Sequence, residues 1–343
     1  MELCRRRRRS RCSIISAPGR PGWCGWAISA TRTHTPICSS RTAQRSLSLS
    51  RWRRGWPSVT RTPPVVRAPR VRRRSMPELA EVEVARRNVA GWWEGEAAAE
   101  VRLLDAKVLK KGSARELEEA MLRPLVAMRR RGKYLWAELE GGHAVMFHFR
   151  MTGKITCETT PQPRFARLAW RVDKTGWLTF KDSRRLGHVE VLAPGELERY
   201  DALLRMGKEP HDITVDELRE AASDRRQLKS ALLDQGVVAG VGNIAISELF
   251  WRLQLPPEVR CGELSQAQWE ALVEEMPRYF DEIIARSMAD EIAYMNEAGG
   301  ENIFEVYGRK GEACPRCEEA IERVKVAGRS TYFCPACQPP VNA

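Results

Sequence analysis

Four cysteines near the carboxyl end of the chain are spaced as metal ligands. They form the pairs "CPRC" (314–317) and "CPAC" (334–337), two C-x2-C knuckles separated by 16 residues. Two such knuckles can present four thiolates tetrahedrally, so we expect one structural Zn2+ bound by Cys314, Cys317, Cys334 and Cys337. A filled four-sulfur shell leaves no open position, so this metal is not expected to catalyse. Unrelated reduced cysteines are the alternative.

The segment between the knuckles, "IERVKVAGRSTYF" (321–333), predicts a β-hairpin. Its turn region presents Lys325 and Arg329. Such a hairpin can insert a cation into a nucleic-acid groove, and an ordinary solvated charge is the alternative.

A second constellation is "QLKSALLDQGVVAGVGNIAISELF" (227–250). It predicts two helical segments around a glycine-containing turn, with Asn243 at the N-cap of the second. Backbone amides at a helix N-terminus can hold a phosphate, and glycines permit its close approach. A simple turn between helices is the alternative.

The elements that must position these groups divide the chain into a strand-rich and a helical part. Apolar residues recur at helical spacing after Pro77, which predicts a helix over 78–93. Alternating segments then predict an antiparallel β-sandwich or barrel, with a hairpin turn at "DKTG" (173–176). The strand segments are 134–139, 143–149, 167–172 and 177–180; the helical patterns, after a linker at 206–212, are 215–223, 226–235, 244–253 and 265–288.

Composition changes abruptly at Met76. Residues 1–75 contain 19 arginines, no lysine and one acid, a net charge of +18, whereas the remainder carries a net of −5. The whole-chain charge of +13 is therefore no argument that the remainder binds nucleic acid, and any basic surface there must be local. We expect the extension to be disordered and absent from the mature protein, as upstream sequence read from an early start codon. A transit-type targeting leader and a genuine basic arm are the alternatives.

Cysteine usage and hydropathy suggest the compartment. Six of the ten cysteines lie beyond residue 75 and four of these are clustered, which favours a reducing compartment and a metal over a disulfide framework. No stretch approaches the length of a membrane span, so we expect no membrane partner.

Six ordered motifs make residues 76–343 resemble the bacterial formamidopyrimidine-DNA glycosylases. The resemblance implies an α+β fold, with an N-terminal antiparallel β-sandwich and leading helix, then a C-terminal helix-two-turns-helix domain with a four-Cys zinc ribbon. We expect an extension at 1–75, a catalytic sandwich domain at 76–205, a DNA-binding helical domain at 213–303 and a zinc finger at 306–340. The motifs are "MPELAEVE" (76–83), "RRGKYLWAEL" (130–139), "HFRMTG" (148–153), "DSRRLG" (182–187), "GVGNIAISE" (240–248) and "VYGRKGEACPRC…RSTYFCPAC" (306–337).

The family's nucleophile is the α-amine of an N-terminal proline exposed by removal of the initiator methionine, which implies Pro77 here. Inside a chain that nitrogen is an amide and cannot form an iminium, so a chain starting at Met1 cannot perform the reaction. Glu78 resembles the catalytic carboxylate that acts on the sugar-ring oxygen, and Glu81 is a supporting acid. For both acids, complementarity to the helix dipole is the alternative.

Other residues match the family's DNA contacts. Lys133 and Arg329 complete the implied catalytic set as contacts to phosphates around the lesion, with an ordinary strand-end charge as the alternative for Lys133. Lys229 and Asn243 match the phosphate-binding groups of the helix-two-turns-helix element. The implied fillers of the space left by a flipped base are Met151, Arg184 and Leu186, with a core methionine as the alternative for Met151.

Several positions depart from the family pattern. Ala80 replaces a usual proline, Arg150 a usual glycine and Leu186 a usual phenylalanine. The segment 288–303 matches the family's lesion-capping loop poorly. These departures bear on lesion preference and leave the catalytic groups in place.

The resulting hypothesis is a bifunctional DNA glycosylase and abasic-site lyase of base excision repair. It would remove oxidised purines (formamidopyrimidine, 8-oxoguanine) from damaged double-stranded DNA and nick the abasic site by β,δ-elimination. We expect a monomer without a nucleotide cofactor, located in the cytoplasm of a bacterium in association with the nucleoid, or in an organelle if residues 1–75 are a transit peptide. The alternatives are a non-catalytic zinc-ribbon DNA-binding protein and a pyrimidine-directed glycosylase of the endonuclease VIII branch.

Overall fold

The computed structural model describes residues 77–287 and 302–340, all within one compact unit. The extension at 1–75 and residues 288–301 of the expected capping segment lie outside the described residues. Within the described ranges, every helix is too short or too polar to cross a membrane.

The leading helix, α1 (Leu79–Trp93), begins one residue after Glu78, which is its N-cap. Leu79, Val82, Val89 and Trp93 are at most 1% exposed, as their helical spacing predicts. The Glu81 carboxylate accepts the backbone N–H of Glu78 at 2.9 Å, which completes a capping box and fixes the direction in which residues 77–78 leave the helix.

Two sheets follow α1, and together they form the sandwich. Their strands are β1 (Glu100–Leu103), β2 (Leu109–Lys111), β3 (Leu125–Arg131), β4 (Tyr134–Leu139), β5 (His143–His148), β6 (Gly153–Glu158), β7 (Ala166–Val172), β8 (Gly176–Asp182) and β9 (His188–Leu192). The first sheet has the strand order β1-β7-β8-β6 and the second β2-β9-β5-β4-β3, with one helix, α2 (Ala114–Met121), between β2 and β3.

The sheet pairings agree with the expected antiparallel sandwich except at one edge. Strand β2 pairs with β9 in parallel, whereas the other pairings in both sheets are antiparallel. Strands β2 and β9 are far apart in sequence, so no hairpin turn requires them to run in opposite directions.

Aromatic side chains from both sheets and from α1 fill the space between the sheets. Trp170 lies 5.4 Å from Trp93 and 5.9 Å from Phe147, measured between ring centroids, and Phe147 lies 6.1 Å from Phe180. Because Trp93 is the last residue of α1, the sandwich core anchors one end of this helix. Its other end carries Pro77 and Glu78.

The helical part packs against the same helix. Its elements are α3 (Asp201–Leu204), α4 (Val215–Ala222), α5 (Leu228–Leu233), α6 (Asn243–Arg252) and α7 (Gln266–Arg286). Helix α7 contacts α1 as well as α4 and α6, so α1 is shared between the sandwich and the helices. The N-cap of α6 is Gly242, so the expectation that Asn243 caps this helix is wrong by one residue.

The predicted hairpin between the cysteine pairs is present as β10 (Glu322–Val326) and β11 (Arg329–Phe333). Ala327 and Gly328 form its turn with φ values of 49° and 73°. Strand β11 packs against α6, which brings the end of the hairpin that carries Arg329 close to the start of that helix.

Candidate functional site

A cavity of about 870 Å³ lies where the sandwich, the turn before α6 and the hairpin meet. Six of the predicted site residues line it: Pro77, Lys133, Met151, Leu186, Asn243 and Arg329. They come from the N-terminal segment, the turns and connections of the sandwich, the helical part and the hairpin. The fold therefore brings together side chains that are up to 252 positions apart in the numbering.

Glu78 follows Pro77 directly in the chain, but its carboxylate is buried, and only 3% of the residue is exposed. It accepts the backbone N–H of Ile244 at 2.8 Å (Oε1) and of Ala245 at 3.0 Å (Oε2). These are orphan donors in the first turn of α6, so Glu78 caps a helix that begins 165 residues later.

Gly242 makes room for that carboxylate. A Cβ at this position would lie 2.3 Å from Glu78 Cδ, far inside contact distance. The nearby Gly240 adopts a φ of +86°, and its carbonyl accepts the N–H of Leu79 at 3.1 Å. The glycines of this turn thus dock the N-terminal segment onto the helical part.

Glu78 and Glu81, the two acids at the start of α1, both have raised pKa values. Burial raises the pKa of Glu78, although the charge of Lys133 and the two helix N–H groups oppose the change. Burial, followed by repulsion from Glu78, raises the pKa of Glu81 to about 7. A raised pKa suits a carboxyl group to proton transfer, and Glu78 directly follows Pro77, which lines the cavity.

Lys133 faces the same turn from the sandwich. Its Nζ donates to the backbone carbonyl of Val241 at 2.9 Å, and Gln235 Nε2 donates to the same oxygen at 3.0 Å. Burial lowers the pKa of Lys133, and the negative charge of Glu78 partly offsets this. The amine is thus held within electrostatic reach of the Glu78 carboxylate.

Asn243 ties the start of α6 to the hairpin. Its Nδ2 donates to the carbonyl of Ser330 at 2.9 Å, next to Arg329 in the sequence. Arg329 is exposed on the hairpin and its charge lowers the pKa of both Lys133 and Lys229. Asn243 and Arg329 both line the cavity, and the hydrogen bond from Asn243 to Ser330 holds the start of α6 against the strand that carries Arg329.

Lys229 does not occupy the position expected of a phosphate contact. It is fully buried, and its amine donates to Thr331 Oγ1 at 2.5 Å and to the Ser330 carbonyl at 3.2 Å. Burial, followed by repulsion from Arg329, lowers its pKa to about 7. The docking of β11 covers this side chain, so we revise its role to that of holding the hairpin against α5.

Two of the three expected void-filling residues reach the cavity. Met151 and Leu186 line it, whereas Arg184 is exposed on the loop that carries Leu186 and does not line the cavity. Arg150 also lines the cavity and has a φ of +52°, the left-handed region that glycine adopts without strain.

The four cysteines form a cluster that fits a tetrahedral metal. Their sulfur atoms all lie within 4.8 Å of one another, with Cys317 3.4 Å from both Cys334 and Cys337. Four zinc–sulfur bonds of about 2.3 Å require sulfur–sulfur separations of about 3.8 Å. The Trp251 indole donates to Cys314 Sγ at 3.4 Å, the kind of outer hydrogen bond that stabilises a thiolate ligand.

An ion-pair network near the site had not been assigned a role from the sequence. Arg130 joins Glu83 Oε2 at 3.0 Å to both carboxylate oxygens of Glu209, at 2.7 and 2.8 Å. Glu209 also accepts the N–H of Gly132 at 2.7 Å, beside Lys133. The linker expected at 206–212 is therefore hydrogen-bonded, through Glu209, to the turn between β3 and β4 that contains Lys133. A pattern of charges in the sequence does not reveal this pairing.

A second group of cavity-lining residues without a role assigned from the sequence comes from the sandwich and the segment after it. The rings of His148 and His188 stack with centroids 5.3 Å apart, His188 Nε2 lies 3.3 Å from Glu190 Oε1, and Tyr200 donates to Glu190 Oε2 at 3.1 Å. His148 belongs to the "HFRMTG" motif, which was the one signal available in the sequence.

Comparison with known protein families agrees with this arrangement. Residues 76–189 match the formamidopyrimidine-DNA glycosylase N-terminal domain, residues 206–292 match the H2TH domain of the same proteins, and residues 311–340 match the zinc finger found in these glycosylases and in isoleucyl-tRNA synthetases. Together with the sulfur geometry, the last match identifies one structural zinc site.

Individual relatives match the chain over the same portion. The formamidopyrimidine-DNA glycosylases of Paracoccus denitrificans and Ruegeria pomeroyi are 36% and 32% identical, over 77% of this chain and the whole of each relative. Among solved structures, Lactococcus lactis Fpg in complex with abasic-site DNA is 28% identical, with a TM-score of 0.69 over 77% of this chain and all of that one. The same enzyme bound to Fapy-dG DNA is 28% identical with a TM-score of 0.68. Sequence, fold and site agree that the chain belongs to the formamidopyrimidine-DNA glycosylase family.

Proposed function

We propose that this protein excises oxidised purines, formamidopyrimidines and 8-oxoguanine, from double-stranded DNA and then cleaves the abasic site by β,δ-elimination. The observation that carries the proposal is the pairing of Pro77, on the cavity wall, with Glu78, buried directly behind it on the N-terminus of α6. The solved relatives, bound to abasic-site DNA and to Fapy-dG DNA, support this substrate class.

The proposed nucleophile is the nitrogen of Pro77, which must be a free amine. A terminal α-amine has a pKa of about 7.7–8.0, against about 10.4 for a lysine, so a larger fraction is unprotonated at neutral pH. The active protein therefore begins at Pro77. The amine nitrogen forms a bond to C1′ of the damaged nucleotide as the bond from C1′ to the base breaks, and the departing base takes up a proton to balance the one that the amine loses. Cleavage of the bond between C1′ and the ring oxygen then opens the sugar and leaves an iminium between Pro77 and C1′.

Glu78 supplies the proton transfers of this sequence. The carboxyl group donates a proton to the ring oxygen as the sugar opens, and the resulting carboxylate is stabilised by the N–H groups of Ile244 and Ala245. Its raised pKa supports the role, because part of the population is protonated at a pH where an ordinary glutamate is ionised.

Four cations line the cavity, and we assign the DNA backbone to this surface. Lys133 and Arg329 contact phosphates on either side of the extruded nucleotide, with Asn243 as a neutral donor between them; the other two cations are Lys110 and Arg150. Contacts to phosphate position the duplex without reading sequence, and they weaken as salt is raised.

Met151, Leu186 and Arg184 replace the extruded base in the stack. Met151 and Leu186 wedge between neighbouring bases, and Arg184 addresses the orphaned partner. The zinc site, held by the four cysteines, stabilises the fold of the hairpin that presents Arg329 and takes no part in the chemistry.

The test is an assay of the protein with its N-terminus at Pro77 on three duplexes, containing a formamidopyrimidine, an oxidised pyrimidine or an abasic site. We expect cleavage at the formamidopyrimidine and the abasic site, with products of β,δ-elimination. Binding without cleavage of any duplex would favour a non-catalytic zinc-ribbon protein. Preference for the pyrimidine lesion would favour the endonuclease VIII branch.

Further details stay predictions. These are the domain boundaries at 76–205, 213–303 and 306–340, a monomeric state, independence from a nucleotide cofactor, and a location in the bacterial cytoplasm.

A further inference from the structure

Two connections lie side by side at one end of the sandwich. Residues 149–152 join β5 to β6, and residues 183–187 join β8 to β9, so each passes from one sheet to the other. The sheet pairings bring them together, because Gly153 is paired with Asp182 and His148 with His188. The first connection carries Met151, and the second carries Arg184 and Leu186.

The carboxylate of Asp182 lies at the junction of the two connections. The residue is fully buried, and its Oδ2 accepts the N–H of Leu186 at 2.8 Å and of Gly187 at 2.6 Å. Its Oδ1 accepts the N–H of Arg184 at 3.0 Å. Three backbone donors of one loop therefore converge on one side chain.

The same carboxylate also holds the other connection. The hydroxyl of Thr152, the residue after Met151, donates to Asp182 Oδ1, and the Thr152 oxygen in turn lies 3.2 Å from the N–H of Arg184. A Cβ on Gly187 would lie 3.2 Å from Asp182 Oδ2 and 2.9 Å from Phe180, so glycine permits this close packing. Asp182 and Thr152 thus join two loops that are otherwise 30 residues apart.

A second carboxylate supports the outer part of the loop. Arg185 has a φ of +57°, and its Nε lies 2.8 Å from Asp105 Oδ2. Asp105 is anchored in turn by Arg167 at 3.4 Å. An ion pair to a second anchored carboxylate therefore restrains Arg185, the residue between Arg184 and Leu186, as well.

We propose that Asp182 is a positioning residue for base extrusion, which fixes Met151, Arg184 and Leu186 as one preformed wedge. This inference rests on the proposed function and adds a residue that does not contact the DNA. A wedge assembled from two independently moving loops would have to be ordered during each extrusion event, whereas a shared buried anchor removes that step.

The variant Asp182→Asn tests this idea while preserving the shape of the side chain. The amide nitrogen cannot accept, so it would face a backbone donor in place of an acceptor, and at least one loop contact is lost. We expect excision from an intact duplex to fall by about 10- to 100-fold, since misplacement of catalytic groups by about 1 Å has effects of this size. Cleavage of abasic DNA, in which no base is withdrawn from the stack, should remain close to that of the unmodified protein.

Two further variants make the test specific. Thr152→Val keeps the volume but breaks the link to the first connection, and should reduce excision in the same selective manner. Asp173→Asn, at the exposed turn between β7 and β8, is the matched control and should change neither reaction. A fluorescent base analogue opposite the lesion should report slower unstacking in Asp182→Asn and Thr152→Val.

Equal losses on both substrates, or normal excision by Thr152→Val and Asp182→Asn, would overturn the inference. If Asp182→Asn fails to fold, the result for Thr152→Val decides. The proposed function fails separately, if the unmodified protein with a free Pro77 cleaves neither substrate.

Discussion

The backbone N–H of Ile244 donates to Glu78 Oε1 over 2.8 Å, and this contact joins two residues that are 166 positions apart. The acid beside the proposed nucleophile is thereby also the cap of α6. A helix N-terminus favours a carboxylate, while burial favours the neutral acid, so the two effects oppose each other at this side chain. The same contact, together with the bond from the Leu79 N–H to the Gly240 carbonyl, holds the helical part against the N-terminal segment. One side chain therefore contributes both to the chemistry of the site and to the docking of the helices.

Gly242→Ala should separate Glu78 from α6, because the added Cβ would lie 2.3 Å from Glu78 Cδ. We expect cleavage of abasic DNA to fall by about 100-fold or more, and the free energy of unfolding to fall by about 1–3 kcal/mol as buried N–H groups lose their acceptor. Steady-state cleavage rates and urea unfolding measure the two effects.

Gly236→Ala is the matched control in the same turn. There the nearest atom to an added Cβ is Asp234 Oδ1 at 3.3 Å, on an exposed side chain that can move. Near-normal activity in Gly242→Ala would show that the carboxylate does not need its place on α6.

The pKa of Glu81, raised to about 7 from its ordinary 4.5, predicts a pH-dependent stability. Between these values the folded protein binds a proton that the unfolded chain has released, so this group makes stability fall as pH rises from 4.5 to 7. Glu81→Gln keeps an acceptor for the Glu78 N–H and removes the ionisation. Urea unfolding at pH 5 and pH 8 should show a decline smaller by roughly 1–3 kcal/mol in the variant than in the unmodified protein. Identical declines would contradict the assignment.

Arg150→Gly should have opposite effects on folding and on DNA binding. Glycine adopts a φ of +52° without strain, so the free energy of unfolding should rise by about 1 kcal/mol. Loss of a cation from the cavity wall should weaken lesion binding more at low salt than at high salt, and lower the slope of log K against log salt by about one. Affinities should be measured across a salt series. If the slope of log K against log salt is the same in the variant and in the unmodified protein, Arg150 does not contact a phosphate.

Cys334→Ser should remove the zinc and the hairpin fold together. We expect metal content to fall from one equivalent to none and DNA binding to weaken because Arg329 is no longer presented, while the sandwich stays folded. Cys157→Ser, outside the cluster, should retain both metal and binding. Elemental analysis and circular dichroism make the comparison, and a folded, DNA-binding Cys334→Ser protein without metal would refute the structural role.

Local periodicity explains what could be predicted of the fold. Helix α1 and strands β4, β5, β7 and β8 follow from spacing and alternation, and the hairpin turn at 173–176 joins β7 to β8 as expected. Strand β2 could not be found in this way, since three residues carry little pattern and its parallel partner β9 lies about 80 positions away.

The position of a site residue could be predicted where the residue belongs to a sequence motif. It could not be predicted where tertiary packing determines the exposure and the contacts of the side chain. Lys229 stands in an amphipathic segment where lysine is usually exposed, and only the docking of β11 buries it. The cap of α6 was sought beside the helix at Asn243, but it comes from Glu78, which a sequence pattern does not connect to it. Arg130 and Glu209 form an ion pair across 79 positions, and no pattern in the sequence connects these two residues either.

Reductive trapping on abasic DNA tests most directly whether the free amine of Pro77 is the nucleophile. Borohydride would reduce the iminium to a stable bond, and peptide mass analysis would locate the attached sugar. Two forms of the protein should be compared, one beginning at Pro77 and one retaining residues 1–76 throughout the assay. We predict a cross-link on Pro77 in the first form, and neither cross-link nor strand cleavage in the second. A cross-link on a lysine, or equally fast cleavage by the intact longer form, would show that the free amine of Pro77 is not the nucleophile.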